Sequence, residues 1–296
     1  MQSMSGMRVN SISVIMTAQN AEAFIAEAIE SVLNQSFDDF EFIIVNDSST
    51  DNTRSIICSY NDVRILLIDN VHDAISSLNT GLKAANGKYV ALMNVNDICH
   101  IDRLKLQHSF MEEFPQVTVH SSWMCIFSKK TPCVILDQKT SGIIEQPLIQ
   151  LFNNNFIVNS TSIIRNSFIK EHNLLFANYT NIEEYIYWLE IAKQGGIFYV
   201  DSQPLVYKRI TDSMMNRDHH SISNGEQDSI NTQATSKIKK EILRFLCNHY
   251  AEMYPSLMSL YHSFYELSDQ KLITEKELVN FFYSLFSKNK DVFSDY

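Results

Sequence analysis

Four short apolar runs, Ser13–Met16, Glu41–Val45, Arg64–Ile68 and Tyr89–Met93, are separated by helix-patterned segments, and this alternation restricts the chain more than any other feature. Runs of this length and composition describe strands covered on both faces, as in a parallel sheet. Within Ala21–Leu33, the residues Ile25, Ala28, Ile29 and Val32 recur at the spacing of one helix face. Ile75, Leu78, Leu82 and Ala85 do the same in the third connection. Strand–helix alternation is the mark of βαβ units, so the expected class is α/β: a Rossmann-like, mostly parallel central sheet flanked by helices.

In such a sheet, ligands bind beyond the carboxyl ends of the strands. Three polar segments fall there: Thr17-Ala18-Gln19-Asn20, Asn46-Asp47-Ser48-Ser49-Thr50-Asp51 and Asn94-Val95-Asn96-Asp97. Asn, Asp, Ser and Thr after a strand are also common helix caps and turn formers, and for Ser48–Asp51 both readings stand.

Further along, Val117–Phe127 reads as extended, Pro132–Pro147 as a loop, and Asn181–Gln194 as a helix ended by Gly195-Gly196. Residues 212–236 are polar and rich in Asn, Ser, Asp and Gln, the composition of a linker or loop. Beyond them, three helical stripes (Ile238, Ile242, Phe245 and Leu246; Leu257, Leu260, Phe264 and Leu267; Leu278, Phe281, Phe282 and Leu285) predict a helical C-terminal subdomain. Thr274 and Glu277 have the spacing of a capping box at the start of its last helix. The aromatic face of that helix has three available partners: the protein's own core, a second subunit in a homodimer, or a membrane interface. The expected divisions are a flexible start at 1–10, an α/β domain at 11–211, the polar segment at 212–236 and the helical subdomain at 237–296.

A net charge of −10 argues against nucleic-acid binding, which needs clustered Lys and Arg. The five cysteines have no paired metal-ligand spacing and read as free thiols of a reducing compartment. Neither a signal peptide nor a membrane-length apolar run is legible, so a cytoplasmic protein is expected, with peripheral association at the inner face of the cell membrane left open. No glycine lies between Gly6 and Gly81, which excludes the glycine-rich turn of a dinucleotide-dependent oxidoreductase.

Several segments in fixed order carry a family resemblance. They are Ser13-Val14-Ile15-Met16-Thr17-Ala18-Gln19-Asn20, Glu30-Ser31-Val32-Leu33-Asn34-Gln35-Ser36-Phe37, and Phe42 through Asn46-Asp47-Ser48-Ser49-Thr50-Asp51. Leu78-Asn79-Thr80-Gly81-Leu82, Asn86-Gly87-Lys88-Tyr89-Val90-Ala91-Leu92-Met93 and Ile182-Glu183-Glu184-Tyr185-Ile186-Tyr187-Trp188-Leu189 continue it. Together, over about Ser11 to Arg209, they resemble the family 2 glycosyltransferases of GT-A fold. The resemblance implies an inverting transferase that moves a sugar from a nucleotide-activated donor, a UDP-sugar, to a saccharide or lipid-linked acceptor in surface-glycan synthesis of the capsule, O-antigen or lipooligosaccharide type.

By that resemblance Thr17, Gln19, Asp47, Asn94 and Asn96 line the nucleotide pocket, Asp47 accepting from the imide N–H of uracil. Glu184 is the candidate base, and Glu183 serves the acceptor or caps the helix. The family's DxD motif holds Mg²⁺ or Mn²⁺; this chain has Asn94-Val95-Asn96 there, leaving Asp97 as the candidate metal ligand. Thr211 stands where a late His is common. Arg103, which matches the Arg-Leu after the metal motif, and Lys208 and Arg209 are candidates for the diphosphate, with a structural ion pair as the other reading of each. Two rivals follow from the amides: a degenerate transferase-like partner subunit with little catalysis, and a transferase that works without a metal.

Overall fold

The computed structural model describes residues 10–71, 73–128, 133–136, 140–153, 155–179, 182–210, 239–289 and 293. The polar segment 212–236, Thr211 and all but the last residue of the segment 1–10 lie outside them. The chain divides into two compact units.

The first unit comprises Met1–Ile143, Ile157–Asn178 and Gly196–Thr211. The four apolar runs form β1 (Ile12–Ala18), β2 (Phe40–Asp47), β3 (Ile65–Asn70) and β4 (Tyr89–Asn94). Six further strands follow: β5 (Asp97–Cys99), β6 (Val119–Phe127), β7 (Val134–Leu136), β8 (Gly142–Ile144), β9 (Ile163–Arg165) and β10 (Phe198–Arg209). The sheet order is β3-β2-β1-β4-β9-β6-β10-β5, with β7 on β6 and β8 on β10. β1, β2, β3 and β4 pair in parallel, as does β6 with β10. β9 runs antiparallel to both β4 and β6, and β5 to β10.

Burial follows strand position. β1, β2 and β4 are buried almost throughout, whereas β3, at the sheet edge, is half-exposed. The one polar residue within the apolar run of β1, Ser13, is satisfied: its Oγ donates to Glu41 Oε1 at 2.6 Å and accepts the Gly87 N–H at 2.8 Å. A Cβ at position 87 would stand 2.5 Å from the Ser13 backbone nitrogen, so this approach admits only glycine.

Helices α1 (Ile25–Leu33), α2 (Thr53–Cys58), α3 (Ala74–Ala84), α4 (Arg103–Glu113) and α6 (Asn166–Glu171) belong to this unit. α1 begins at Ile25 rather than at Ala21, because the preceding turn is tied to a neighbouring loop: the Ala21 N–H donates to Thr53 Oγ1 at 2.7 Å and the Glu22 N–H to Asp51 Oδ2 at 3.0 Å. The free-thiol expectation fails at two cysteines. The register of β6 on β7 sets Ile126 against Val134, next to Cys133, and Cys125–Cys133 are joined by a disulfide with Cα atoms 5.7 Å apart. Cys58, Cys99 and Cys247 are free.

The second unit draws together Ile144–Phe156, Tyr179–Gly195 and the C-terminal residues. It contains α5 (Pro147–Asn153), α7 (Glu183–Lys193), the helical residues 239–250 as α8, α9 (Pro255–Asp269) and α10 (Glu275–Lys288). α5 and α7 thus group with the C-terminal helices, whereas the sequence reading places them with the sheet. The hydroxyl of Tyr185 donates to the Leu151 carbonyl, and Lys193 pairs with Glu241 at 2.6 Å. Gly195, at φ +78°, ends α7. Leu278, Phe282 and Phe286 are buried, with Phe282 against Tyr261 and Phe286 against Tyr250 and Phe293, so much of the aromatic face of the last helix packs within its own unit. The capping box forms: Thr274 Oγ1 accepts the Glu277 N–H at 3.2 Å and Glu277 Oε2 accepts the Thr274 N–H at 2.8 Å.

Candidate functional site

The in-register pairing of β1, β2 and β4 brings their carboxyl ends to one edge. Thr17 stands opposite Val45 on one side and Asn94 on the other, and Ala18 opposite Asn46. Left-handed residues turn the chain sharply there: Asn20 at φ +48° after β1 and Ser48 at φ +50° after β2. Thr17 is half-buried and Gln19 exposed.

Asp47 is only 3% exposed, and its Oδ1 has no hydrogen-bond partner among the described residues. Its neighbour Asn46 is oriented from below: Nδ2 donates to Asp69 Oδ1 at 2.9 Å, and Asp69 is gripped by Arg54, which holds that carboxyl below the usual carboxylate range. Asn46 Oδ1 is likewise buried without a partner. The rest of the segment after β2 is occupied by structure. Ser49 Oγ accepts the Asn20 N–H at 3.1 Å, Asn20 Oδ1 accepts the Thr50 N–H at 2.8 Å, and Glu22 Oε2 accepts the Asn52 N–H at 3.0 Å. For Ser49, Thr50 and Asp51 the structural reading therefore accounts for the side chains, and Asp47 is left with an unmet, buried acceptor.

Past β4, half-buried Asn94, Val95 and Asn96 lead into β5. Asp97 is 2% exposed and stands opposite Lys208 in the antiparallel β5–β10 ladder. Burial raises its carboxyl above the ordinary range, against the opposing pull of the Ser160 hydroxyl, the Lys208 charge and the Arg209 backbone. The residues present do not fit the implied Mg²⁺ or Mn²⁺. Hard cations are held by several oxygen ligands with net negative charge, whereas this turn offers two neutral amides and one buried carboxylate. Among the described residues no group of three His, Cys, Asp or Glu converges on a common point.

Two of the three nominated cations are engaged elsewhere. Arg103 is fully buried: Nη2 donates to the Leu92 carbonyl at 2.9 Å and the Ser162 carbonyl at 3.2 Å, and Nε to Gln107 Oε1 at 3.1 Å. It stitches β4 to the turn before β9 and has no surface to offer a diphosphate. Arg209 pairs with Glu27 and lies over the rings of Phe24 and Phe127, at 5.2 and 4.8 Å. Lys208, half-buried, forms no ion pair or hydrogen bond among the described residues through its ammonium.

The sequence reading missed the buried polar tetrad Asn159-Ser160-Thr161-Ser162, which forms a 3₁₀ turn before β9. Its signal was available: four polar residues between apolar pairs, Ile157-Val158 and Ile163-Ile164. Thr161 accepts from Gln107 Nε2 at 2.8 Å through its carbonyl, and the same Nε2 lies 3.1 Å from His120 Nδ1.

In the second unit, Glu183 and Glu184 occupy the first turn of α7, where negative charge is favoured by the helix dipole. Glu183 Oε2 is buried without a partner among the described residues, while Tyr185, Tyr187 and Trp188 bury the helix's aromatic face.

Comparison with known proteins adds independent weight. The model of the family described as glycosyl transferase family 2 matches residues 13–172. An uncharacterised glycosyltransferase of Haemophilus influenzae is 32% identical over 250 residues, covering 80% of this chain and 74% of the relative. From Escherichia coli, the UDP-Glc:α-D-GlcNAc-diphosphoundecaprenol β-1,3-glucosyltransferase WfaP is 30% identical over 193 residues, 62% of this chain and 71% of that protein. The crystal structure of residues 1–349 of Staphylococcus aureus TarS in complex with UDP-GlcNAc shares the fold, with TM-score 0.60, 20% identity, and coverage of 81% of this chain and 73% of that one.

Proposed function

Because the chain belongs to glycosyl transferase family 2 and is a glycosyltransferase, we propose that it transfers a sugar from a UDP-sugar to a saccharide or lipid-linked acceptor in surface-glycan synthesis. The observation that carries this reading is Asp47, a buried carboxylate with an unmet oxygen at the carboxyl edge of the sheet. A carboxylate only accepts hydrogen bonds, and the imide N–H of uracil supplies the donor it lacks. Thr17, Gln19, Asn94 and Asn96 share the segments at that edge and complete the nucleotide pocket. The activity for which WfaP is named, from UDP-glucose to a diphosphoundecaprenol-linked sugar, supports both a uracil nucleotide and a lipid-linked acceptor.

Glu184 serves as the base in this proposal. It takes the acceptor hydroxyl proton as that oxygen bonds to the anomeric carbon, the bond from that carbon to the diphosphate oxygen breaks, and UDP leaves with inversion. Glu183 serves the acceptor or the helix terminus. No described helix is long and apolar enough to cross a membrane.

Calorimetric titration of UDP, GDP and CMP and their sugar conjugates into the wild type and Asp47→Ala tests the reading. Selective UDP binding, lost by at least about tenfold in Asp47→Ala, supports it, since a hydrogen bond to a charged group is worth roughly 1.5–3 kcal/mol. Failure to bind any nucleotide turns the reading toward a partner subunit, the alternative that Asn94 and Asn96 favour.

A further inference from the structure

We propose that this chain holds the donor diphosphate through the ammonium of Lys208 and the side-chain amides of Asn94 and Asn96, with no divalent cation between protein and phosphate. The inference rests on the nucleotide-sugar reading above and specifies how that site meets the charge of its substrate.

Three observations support it. First, the turn at 94–96 carries amides, whose Nδ2 groups donate to phosphate oxygens; carboxylates there would repel a diphosphate and require a bridging metal. Second, Lys208 pairs in register with Asp97, one residue beyond that turn, so the sheet delivers a lysine to the same place. Third, the nearby cations do not compete with it. Arg103 is sealed beneath the sheet on two carbonyls, and Arg209 is bound to Glu27. Lys208 makes no salt bridge or hydrogen bond through its ammonium among the described residues, and the carboxyl that feels its charge is Asp97, across the ladder.

A flexible ammonium is a point charge suited to phosphate, and fixed positive charge aids departure of a leaving group that becomes more negative in the transition state. The chain thus replaces a mobile metal by groups fixed in the fold.

The test titrates UDP and uridine into the full chain in EDTA and in Mn²⁺, for the wild type, Lys208→Gln and Lys208→Arg, with circular dichroism to check folding. UDP should bind within about threefold in the two buffers, Lys208→Gln should weaken UDP by about tenfold or more while changing uridine by less than about twofold, and Lys208→Arg should recover most of the loss. The electron paramagnetic resonance signal of free Mn²⁺ should be the same with UDP alone and with UDP plus protein. Tightening of UDP by Mn²⁺ of about tenfold or more, or unchanged UDP affinity in Lys208→Gln, would overturn the proposal. Absence of both uridine and UDP binding overturns it together with the nucleotide reading; uridine binding with metal-dependent UDP binding overturns the proposal alone.

Discussion

Glu22 and Asp51 hold each other's loops: Asp51 Oδ2 accepts the Glu22 backbone N–H at 3.0 Å, and Glu22 Oε2 accepts the N–H of Asn52, next to Asp51, at 3.0 Å. The loops after β1 and β2, which flank Thr17 and Asp47, are therefore fixed by one another. Asp51→Ala should release both, raising amide hydrogen exchange at Asn20–Glu22 and Ser49–Asn52 and weakening UDP by roughly three- to tenfold through lost preorganisation. Unchanged exchange in the loop after β1 would refute the coupling.

Arg103 separates structure from binding. Arg103→Leu removes the donors of the Leu92 and Ser162 carbonyls and should cost about 3 kcal/mol or more in urea unfolding. The folded fraction should keep its UDP affinity within about twofold, because the guanidinium never meets the ligand. Loss of affinity without loss of stability would restore the diphosphate role that the Arg-Leu pattern suggested.

His120 gives the fold a pH response. Burial, aided by the nearby Arg103 charge, lowers its pKa to about 4 from the ordinary 6.5, so the native ring stays neutral where the unfolded ring takes a proton. This stabilisation is complete above pH 6.5 and is lost as pH falls toward 4, by on the order of 3 kcal/mol at full extent. Denaturant midpoints measured between pH 7 and 4.5 should fall less steeply in His120→Asn, whose Oδ1 can replace the Nδ1 acceptor. Equal slopes would show that other groups carry the response.

Gly87→Ala tests the close approach of the turn before β4 to β1. The added methyl meets backbone at 2.5 Å rather than a movable side chain, so a loss of about 1–3 kcal/mol is expected. A thermal melt at the wild-type temperature would contradict this packing.

The parallel half of the sheet was legible because its strands are apolar on both faces, and βαβ geometry placed the segment Asn46–Asp51 at the sheet edge, whereas the choice of Asp47 within it came from the family resemblance. Arg103 was not, since its direction depends on carbonyls at Leu92 and Ser162, distant in sequence, and no local pattern reports an inward guanidinium. The same holds for Arg209, whose partner Glu27 lies on α1. α7 reads as a helix from its periodicity, but its grouping with α5 and the C-terminal helices rests on Tyr185 with Leu151 and Lys193 with Glu241, contacts that spacing does not encode. The Cys125–Cys133 pairing depends on the register of β6 with β7, which no local sequence pattern reports.

The central claim, sugar transfer by a carboxylate base, is tested most directly by mass-spectrometric assay of UDP-sugars with a sugar-diphosphoprenol acceptor, comparing the wild type with Glu184→Gln. The account predicts a product one sugar heavier from the wild type, and a kcat lower by about a hundredfold or more in Glu184→Gln with UDP affinity within about threefold. Transfer by Glu184→Gln at the wild-type rate would contradict it.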